Sequence, residues 1–410
     1  MKRWIVLVLA SLILLSLCSC AEPAEESNAG VSSATQDEGT PENEPAQQSS
    51  ADSETGVLSH STISETWDSG VVVDADVTTI NRNALSTYTG SLRQFNIDEL
   101  AEALGLSPEE AVSTYTEPIE QAVGTYLPGD YVYLQFEDNL GLICSVTWFS
   151  YESDTFLTVQ DLLSVHGNEA NAEPFQTGKN LDFATIEQAQ TEIQAVLDKL
   201  EIPVVREPRC YTLDYDSLSA ENERQYAITM EAAEGMDQAL VPEKLEIREE
   251  DACYMFYYPV AIDGMPVSPY ANGVYGDGSL TAGTELIACY NKDGIAGLYL
   301  LYQPLMQEKS EAQPVIPLEE ILEKEKAKYD SIILEGKYTI YDIRLEYIAQ
   351  PVTSEENTYN LIPVWRFSVE HEHELNKGDG QSGSTVITRV TYDLYDALTG
   401  EEIPYSAGGI

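Results

Sequence analysis

The chain has 410 residues, with 21 Lys and Arg against 70 Asp and Glu, for a formal net charge of −49. Such a charge repels nucleic acid and anionic lipid surfaces, so neither is an expected partner; it suits cations, a basic partner or plain solubility. The length allows about two domains of ordinary size beyond a leader.

Residues 1–20 read as that leader. Lys2 and Arg3 precede an apolar run over 4–17, shorter than the roughly 20 residues a settled membrane helix needs. Leu17-Cys18-Ser19-Cys20 then has the layout of a lipobox, with Leu three positions before Cys20 and a small Ser next to the cut. Bulky Leu17 makes Cys18 the poorer acceptor. The expectation is a signal peptide over 1–20 and lipidation (palmitate or a similar acyl chain) at Cys20. That would put the mature chain at the outer face of the cytoplasmic membrane, touching the membrane through its lipid anchor.

Residues 21–66 carry ten acidic side chains and no Lys or Arg, among Ser, Ala, Gln, Gly, Thr and Pro. A stretch of this kind buries too little apolar surface to offset its ordering entropy, and reads as a disordered acidic linker.

Val71-Val72-Val73-Asp74-Ala75-Asp76-Val77 alternates like a strand with one wet face. A helix is expected over 97–104. A second opens at Ser107-Pro108-Glu109-Glu110, which has the form of a capping box with Pro in the first turn. From Tyr131 the chain turns aromatic and β-branched. Strands are expected over 131–136 and 140–151, a helix with a 3.6-residue apolar stripe over 184–200, and strands over 209–216 and 252–262. Next come strands over 285–290 and 297–303, joined through the turn Asn291-Lys292-Asp293-Gly294. A helix over 318–329 precedes strands over 338–348, 359–369 and 385–395. The pattern is an imperfect duplication of hairpin, helix and returning strands. The expected fold class is α+β: two tandem antiparallel-sheet units, each packed by one helix, with a helical N-terminal extension. The division is 67–283 for the first unit and 284–410 for the second. The 25 Tyr residues suit half-buried sheets, with the ring packed and the hydroxyl at the edge.

Leu361-Ile362-Pro363-Val364-Trp365-Arg366-Phe367 and Asp396-Ala397-Leu398-Thr399-Gly400-Glu401 resemble the closing strands of a PepSY-type domain, as also seen in YycH/YycI-like extracytoplasmic regulators. Asp396 and Thr399 can satisfy turn amides there, and Gly400 supplies positive φ. At whole-chain level the sequence resembles uncharacterised clostridial, Gram-positive lipoproteins with two such units. The resemblance implies protein contact, such as restraint of a peptidase or modulation of a sensor kinase. The lipid anchor and the second divergent copy depart from those regulators.

Catalytic signatures are sparse. The chain has no Gly-x-Ser-x-Gly, Ser-x-x-Lys, His-Glu-x-x-His or Gly-x-x-x-x-Gly-Lys. Its four histidines are His60, His166, His371 and His373. On a strand, His371 and His373 share a face and make a weak candidate metal pair. The turn at 291–294 imitates the middle of an EF-hand loop, but Cys289 and Leu300 stand where carboxylates are needed. Asp74 with Asp76, and Asp214 with Asp216, are same-face strand pairs that would serve an acid–base site if brought together. Trp148 and Trp365 lie in dense apolar runs and read as core, whereas Trp67 reads as exposed. Cys144, Cys210, Cys253 and Cys289 are widely spaced, and both disulfides and buried thiols fit them. No cofactor is expected. The leading expectation is a non-enzymatic, lipid-anchored module that regulates or binds an envelope component. The alternatives are a solute-binding lipoprotein of a transporter and a carboxylate-dependent envelope hydrolase.

Overall fold

The computed structural model describes residues 58–119, 129–163, 175–205, 207–232, 244–269, 273–275, 283–352, 357–376 and 384–407. Cys20 and His166 lie outside these residues, as does the His373 side chain.

The chain opens with an antiparallel hairpin, β1 (Leu58–Thr66) and β2 (Val72–Ile80), followed by β3 (Tyr88–Leu92). Helix α1 (Ile97–Leu104) leads into β4 (Ser113–Ile119), β5 (Gly129–Gln135), β6 (Gly141–Cys144) and β7 (Trp148–Glu152). Then come α2 (Asp154–Leu163), β8 (Gln176–Thr177), α3 (Ile186–Lys199), β9 (Arg209–Leu213), α4 (Tyr215–Ala232) and β10 (Cys253–Tyr258). A second hairpin, β11 (Glu285–Asn291) and β12 (Gly294–Leu301), precedes β13 (Pro304–Lys309) and α5 (Leu318–Asp330). The chain closes with β14 (Lys337–Pro351), β15 (Tyr359–Asn376), β16 (Ser384–Asp396) and β17 (Glu402–Ile403).

These strands build two open sheets, and the fold is mixed α+β with strand dominant. One sheet has nine strands in the order β4-β5-β6-β7-β12-β11-β10-β9-β8. The other has eight, running β1-β2-β14-β15-β16-β17, with β3 bridging β15 and β13. The nine-stranded sheet comes from one continuous stretch between β3 and β13. The first three strands and the last five close the eight-stranded sheet around it. Residues 285–301, which the expected division at 283/284 assigns to the second unit, form β11 and β12 and pair with β10 and β7 in the nine-stranded sheet. Hairpin recurrence in the sequence reports local pairing and is blind to which sheet a hairpin joins.

Helices cover both faces of the nine-stranded sheet, in place of the single helix expected. Alternation along β10, β11 and β12 sends Tyr254, Phe256, Leu286, Ala288, Leu298 and Leu300 to one side, under α1 and α3. Cys253, Met255, Ile287, Cys289 and Ala296 go to the other, under α2 and α4. In α1, Asn96 Oδ1 accepts the Asp98 N–H at 2.8 Å, and Gly105 closes the helix at φ 73°. In α3, Thr185 and Gln188 form a reciprocal capping box. The eight-stranded sheet packs one face on α5, with Val73, Ile340, Ile343 and Phe367 meeting Ile321 and Tyr329. A bulge between Ile340 and Asp342 keeps Ile340 and Ile343 on that inner face. The pairing of β14 with β2 is parallel, within an otherwise antiparallel sheet.

Several local expectations change. Residues 58–66 form β1, paired along their length with β2, so the linker reading does not extend to residue 66. The cap at Ser107 starts only a short 3-10 turn, Pro108–Glu110, because the β-branched, polar stretch after it is taken up as edge strand β4. The expected strand over 140–151 breaks at Ser145–Thr147 into β6 and β7. The one over 209–216 ends at Leu213, where α4 begins, and β10 stops at Tyr258 before a small Ala261–Ile262/Met265–Pro266 hairpin. Asn291 Oδ1 accepts the Asp293 N–H at 2.9 Å in the hairpin turn, with Gly294 at φ 109°, as the sequence predicts. At the end of β16, Asp396 Oδ1 takes the Leu398 and Thr399 amides at 2.7 and 3.0 Å, and Gly400 has φ 68°.

Candidate binding surface

Strand register brings six aromatic side chains onto one face of the nine-stranded sheet. Cross-strand partners share a face. Tyr257, Ile287, Tyr299, Ser150, Ile143, Tyr133 and Tyr115 are successive partners from β10 to β4. Beside them lie Leu301 with Trp148, and Tyr131 with Glu117. Toward the other end of the strands α2 seals this face: Gly297 lies so close under Phe156 that a Cβ there would meet the ring at 2.2 Å. Away from that helix Tyr131, Trp148 and Tyr299 are partly covered, and Tyr115 on the edge strand is 51% exposed.

Four of these rings form a continuous row. Tyr115 to Tyr131 is 6.3 Å between centroids, Tyr131 to Trp148 is 6.1 Å, and Trp148 to Tyr299 is 6.5 Å. The end strands β4 and β12 are four strand spacings apart, about 19 Å at roughly 4.8 Å each. The row is bowed: Tyr115 and Tyr299 lie on one line of cross-strand partners, and Tyr131 and Trp148 lie two residues along their strands from it.

Carboxylates flank the row. Tyr115 donates to Glu117 Oε2 at 2.6 Å, and Ser150 donates to Glu152 Oε1 at 2.6 Å. Burial pushes the Glu152 carboxyl above the usual range, against the lowering effect of the Ser150 bond. Burial, with the Glu152 charge next, pushes Tyr131 up to about 12 and raises Tyr133. The hydroxyls are thus neutral donors at ordinary pH. The strands that carry the row, β4, β5, β6, β7 and β12, contain no Lys or Arg. The surface offers π faces, hydroxyls and negative charge together.

The other sequence candidates are placed differently. Asp74 and Asp76 are exposed on the outer side of β2. Asp214 and Asp216 lie where β9 gives way to α4, not on a strand. Asp214 Oδ1 accepts the Ser217 N–H at 2.9 Å and its Oδ2 accepts from Lys179 at 2.6 Å. The Lys179 bond, opposed by burial, brings Asp214 down to about 2. Asp74 and Asp76 belong to the eight-stranded sheet, and Asp214 and Asp216 lie beyond the end of a strand of the nine-stranded one, so the pairs form no common site. His371 Nε2 is 2.6 Å from the Glu335 carbonyl, and its ring stacks on Tyr338 at 3.8 Å, so it serves the packing of β14 on β15. Among the described residues no group of three His, Cys, Asp or Glu is arranged for a metal. The four cysteines stand as thiols, with Cys253 and Cys289 in the core beneath α2 and α4. Trp365 is buried as expected, and its Nε1 donates to the Ile316 carbonyl at 3.0 Å. Trp67 is buried as well, against Tyr329, because the β1–β2 turn folds it under the sheet. Trp148, read as core, is the half-exposed one.

Two buried polar clusters lie in the eight-stranded sheet. On its outer face Arg366, fully enclosed, donates to Glu346 at 2.7 Å and to Asp342 at 3.0 Å, bonds Ser368, and lies over the Tyr392 ring. Burial raises the Asp342 carboxyl, but Arg366 and Arg344 more than reverse this and leave it below its ordinary value. Between α5 and β16, Lys328 bonds Asp393 at 2.6 Å and Glu402 at 2.7 Å, beside a buried Glu325. Separately, an open polar cavity of about 370 Å³ is lined by Tyr88, Lys309, Ser310, Asn360 and neighbours. Among the described residues no helix is long and apolar enough to cross a membrane.

No protein-family model matches the chain, and no curated protein matches it. A solved structure of an uncharacterised protein from Eubacterium rectale shares the fold, with a TM-score of 0.62 and 18% identity over 82% of this chain and 91% of that one. A second structure, the Bacillus megaterium YpeB C-terminal domain, aligns at a TM-score of 0.26 and 9% identity over 77% of this chain and 98% of that one.

Proposed function

We propose that this chain is a lipid-anchored extracytoplasmic protein that binds another envelope component through its sheet surfaces and carries out no chemistry of its own. The aromatic row from Tyr115 to Tyr299 carries the reading. Partly exposed rings grouped on one sheet face, with carboxylates at their margin, suit recognition, because aromatic anchors dominate the energetics of protein contacts. The leader and the Leu17–Cys20 motif support the location, and the acidic stretch after Cys20 would hold the folded part away from the bilayer. The resemblance of residues 361–367 and 396–401 to PepSY-type and YycH/YycI-like regulators points the same way, toward contact with a sensor kinase or a peptidase.

The test has two arms. Cys20→Ala should move the protein from the membrane fraction to the medium and abolish acyl labelling. Cross-linking on intact cells should recover one specific envelope protein; its absence across growth conditions overturns the binding reading.

The polar cavity near Tyr88 and Lys309 favours a second reading, a solute-binding lipoprotein serving a transporter, since about 300–1,000 Å³ is the usual range for small-ligand sites. A solute screen by thermal shift separates the two, because a bound solute raises the melting temperature once its concentration exceeds the dissociation constant.

A further inference from the structure

We propose that the row Tyr115–Tyr131–Trp148–Tyr299, with Glu117 and Glu152, is the docking surface for an extended, Lys- or Arg-bearing peptide segment of a partner protein, lying across the strands of the nine-stranded sheet. Three observations select that occupant. The first is charge: the strands bearing the row have no basic residue, the whole chain carries −49, and the row's charged groups are carboxylates. A cation gains from the long-range field, from the carboxylates and from the ring faces at once; a neutral saccharide gains only the last.

The second is spacing. In an extended peptide the side chains on one side recur about every 6.6 Å, twice the rise of roughly 3.3 Å per residue. The rings recur at 6.3, 6.1 and 6.5 Å. An extended segment laid along the row therefore presents one side chain to each ring, and seven residues reach all four. The third is the hydroxyl chemistry. Tyr131 and Tyr133 hold their protons, so they can donate to peptide carbonyls between the ring contacts. The row ends at the exposed Tyr115 on the outermost strand, where a longer segment has room to continue.

This proposal rests on reading the chain as a binding protein and goes further by naming the surface and the partner's chemistry. The experiment is titration of the purified full chain by calorimetry with a seven-residue peptide alternating Lys and Ser. A Glu/Ser peptide and a neutral β-linked oligosaccharide serve as comparison probes. The Lys peptide should bind saturably and weaken as salt rises. Trp148→Ala and Tyr115→Ala should each cut affinity about tenfold, and Trp148→Phe, which keeps a ring, should retain most of it. Tyr115 is on the surface, so its substitution tests the row without disturbing the core, and unchanged melting of the variant verifies that. The idea is overturned if the Lys peptide shows no saturation up to about 10 mM. Tyr115→Ala and Trp148→Ala binding like the parent would also overturn it, as would the saccharide or the Glu peptide binding as tightly. Recovery of an envelope partner whose cross-links avoid this face would reject the row and leave the binding reading standing.

Discussion

The Tyr395 hydroxyl donates to Glu325 Oε2 at 2.7 Å, while Glu325 Oε1, fully buried, meets no donor among the described residues and lies by the Asp393 carboxylate. Burial first, and the Asp393 charge next, raise the Glu325 carboxyl well above its ordinary value, despite nearby Lys328. A protonated Glu325 donating to Asp393 satisfies both groups. The folded state then holds a proton that the unfolded chain releases near the usual carboxylate range. Stability from this group is complete below that range and is lost as pH rises toward the folded value, with a slope of at most about 1.4 kcal/mol per pH unit. Denaturant unfolding at a series of pH values above 5 should show that decline in the parent. Glu325→Gln, which carries its donor permanently, should flatten it. An equally steep decline in the variant would assign the effect elsewhere.

Arg366 is enclosed with Glu346 and Asp342 on the outer face of the eight-stranded sheet. Removing one partner of a buried ion pair leaves the other uncompensated. Arg366→Met should therefore cost about 3–5 kcal/mol in chemical denaturation. Adding Glu346→Leu should recover part of the loss, since an apolar pair of similar volume replaces a desolvated charged one.

Close packing of α2 on the sheet depends on Gly297. A Cβ there would lie 2.2 to 2.3 Å from Phe156 ring atoms and 2.7 Å from its Cβ, and Phe156 is fully buried. Gly297→Ala should lower stability by about 1–3 kcal/mol, the usual cost of overpacking. Because the aromatic row lies along the same face, the variant's peptide affinity should fall too if α2 is displaced.

Burial pushes the Cys144 and Cys210 thiols up to about 12. Cys253 is raised as well, through its contact with Cys289 and then through burial. The thiolate is the reactive form. Alkylation of the native protein near pH 8 should label none of these three within the time that labels the unfolded chain completely. Mass spectrometry of the intact protein reads the difference directly.

Much of the local structure is legible in the sequence. Helix α1 has the expected bounds, because an Asn cap, an apolar stripe and a closing Gly agree. The turn at Asn291–Gly294 likewise follows from side-chain and glycine chemistry. Helices α2 and α4 are not legible. In α4 the buried positions include Glu221 and Asn222 beside Leu218, so no apolar stripe marks it. The cue at its start is Asp214 three residues before Ser217, a capping arrangement that reads equally well as strand alternation. The aromatic row is invisible for a different reason. Its members lie at 115, 131, 148 and 299, on strands that become neighbours only once sheet order is known. Trp148 looks like core because its run is apolar, yet alternation sends Phe149 inward and leaves Trp148 on the half-covered side.

The enclosure of one sheet's strands by the other's has a kinetic cost. Val72 finds its parallel neighbour at Thr339, so the earliest strands made wait, with one side unsatisfied, until nearly the whole polypeptide has emerged. The inner segment can pair within itself, whereas the eight-stranded sheet needs both ends of the chain. A truncation that reached back through β14 would strip β2 of that neighbour, so a loss near the end of the chain would be felt by its first strands.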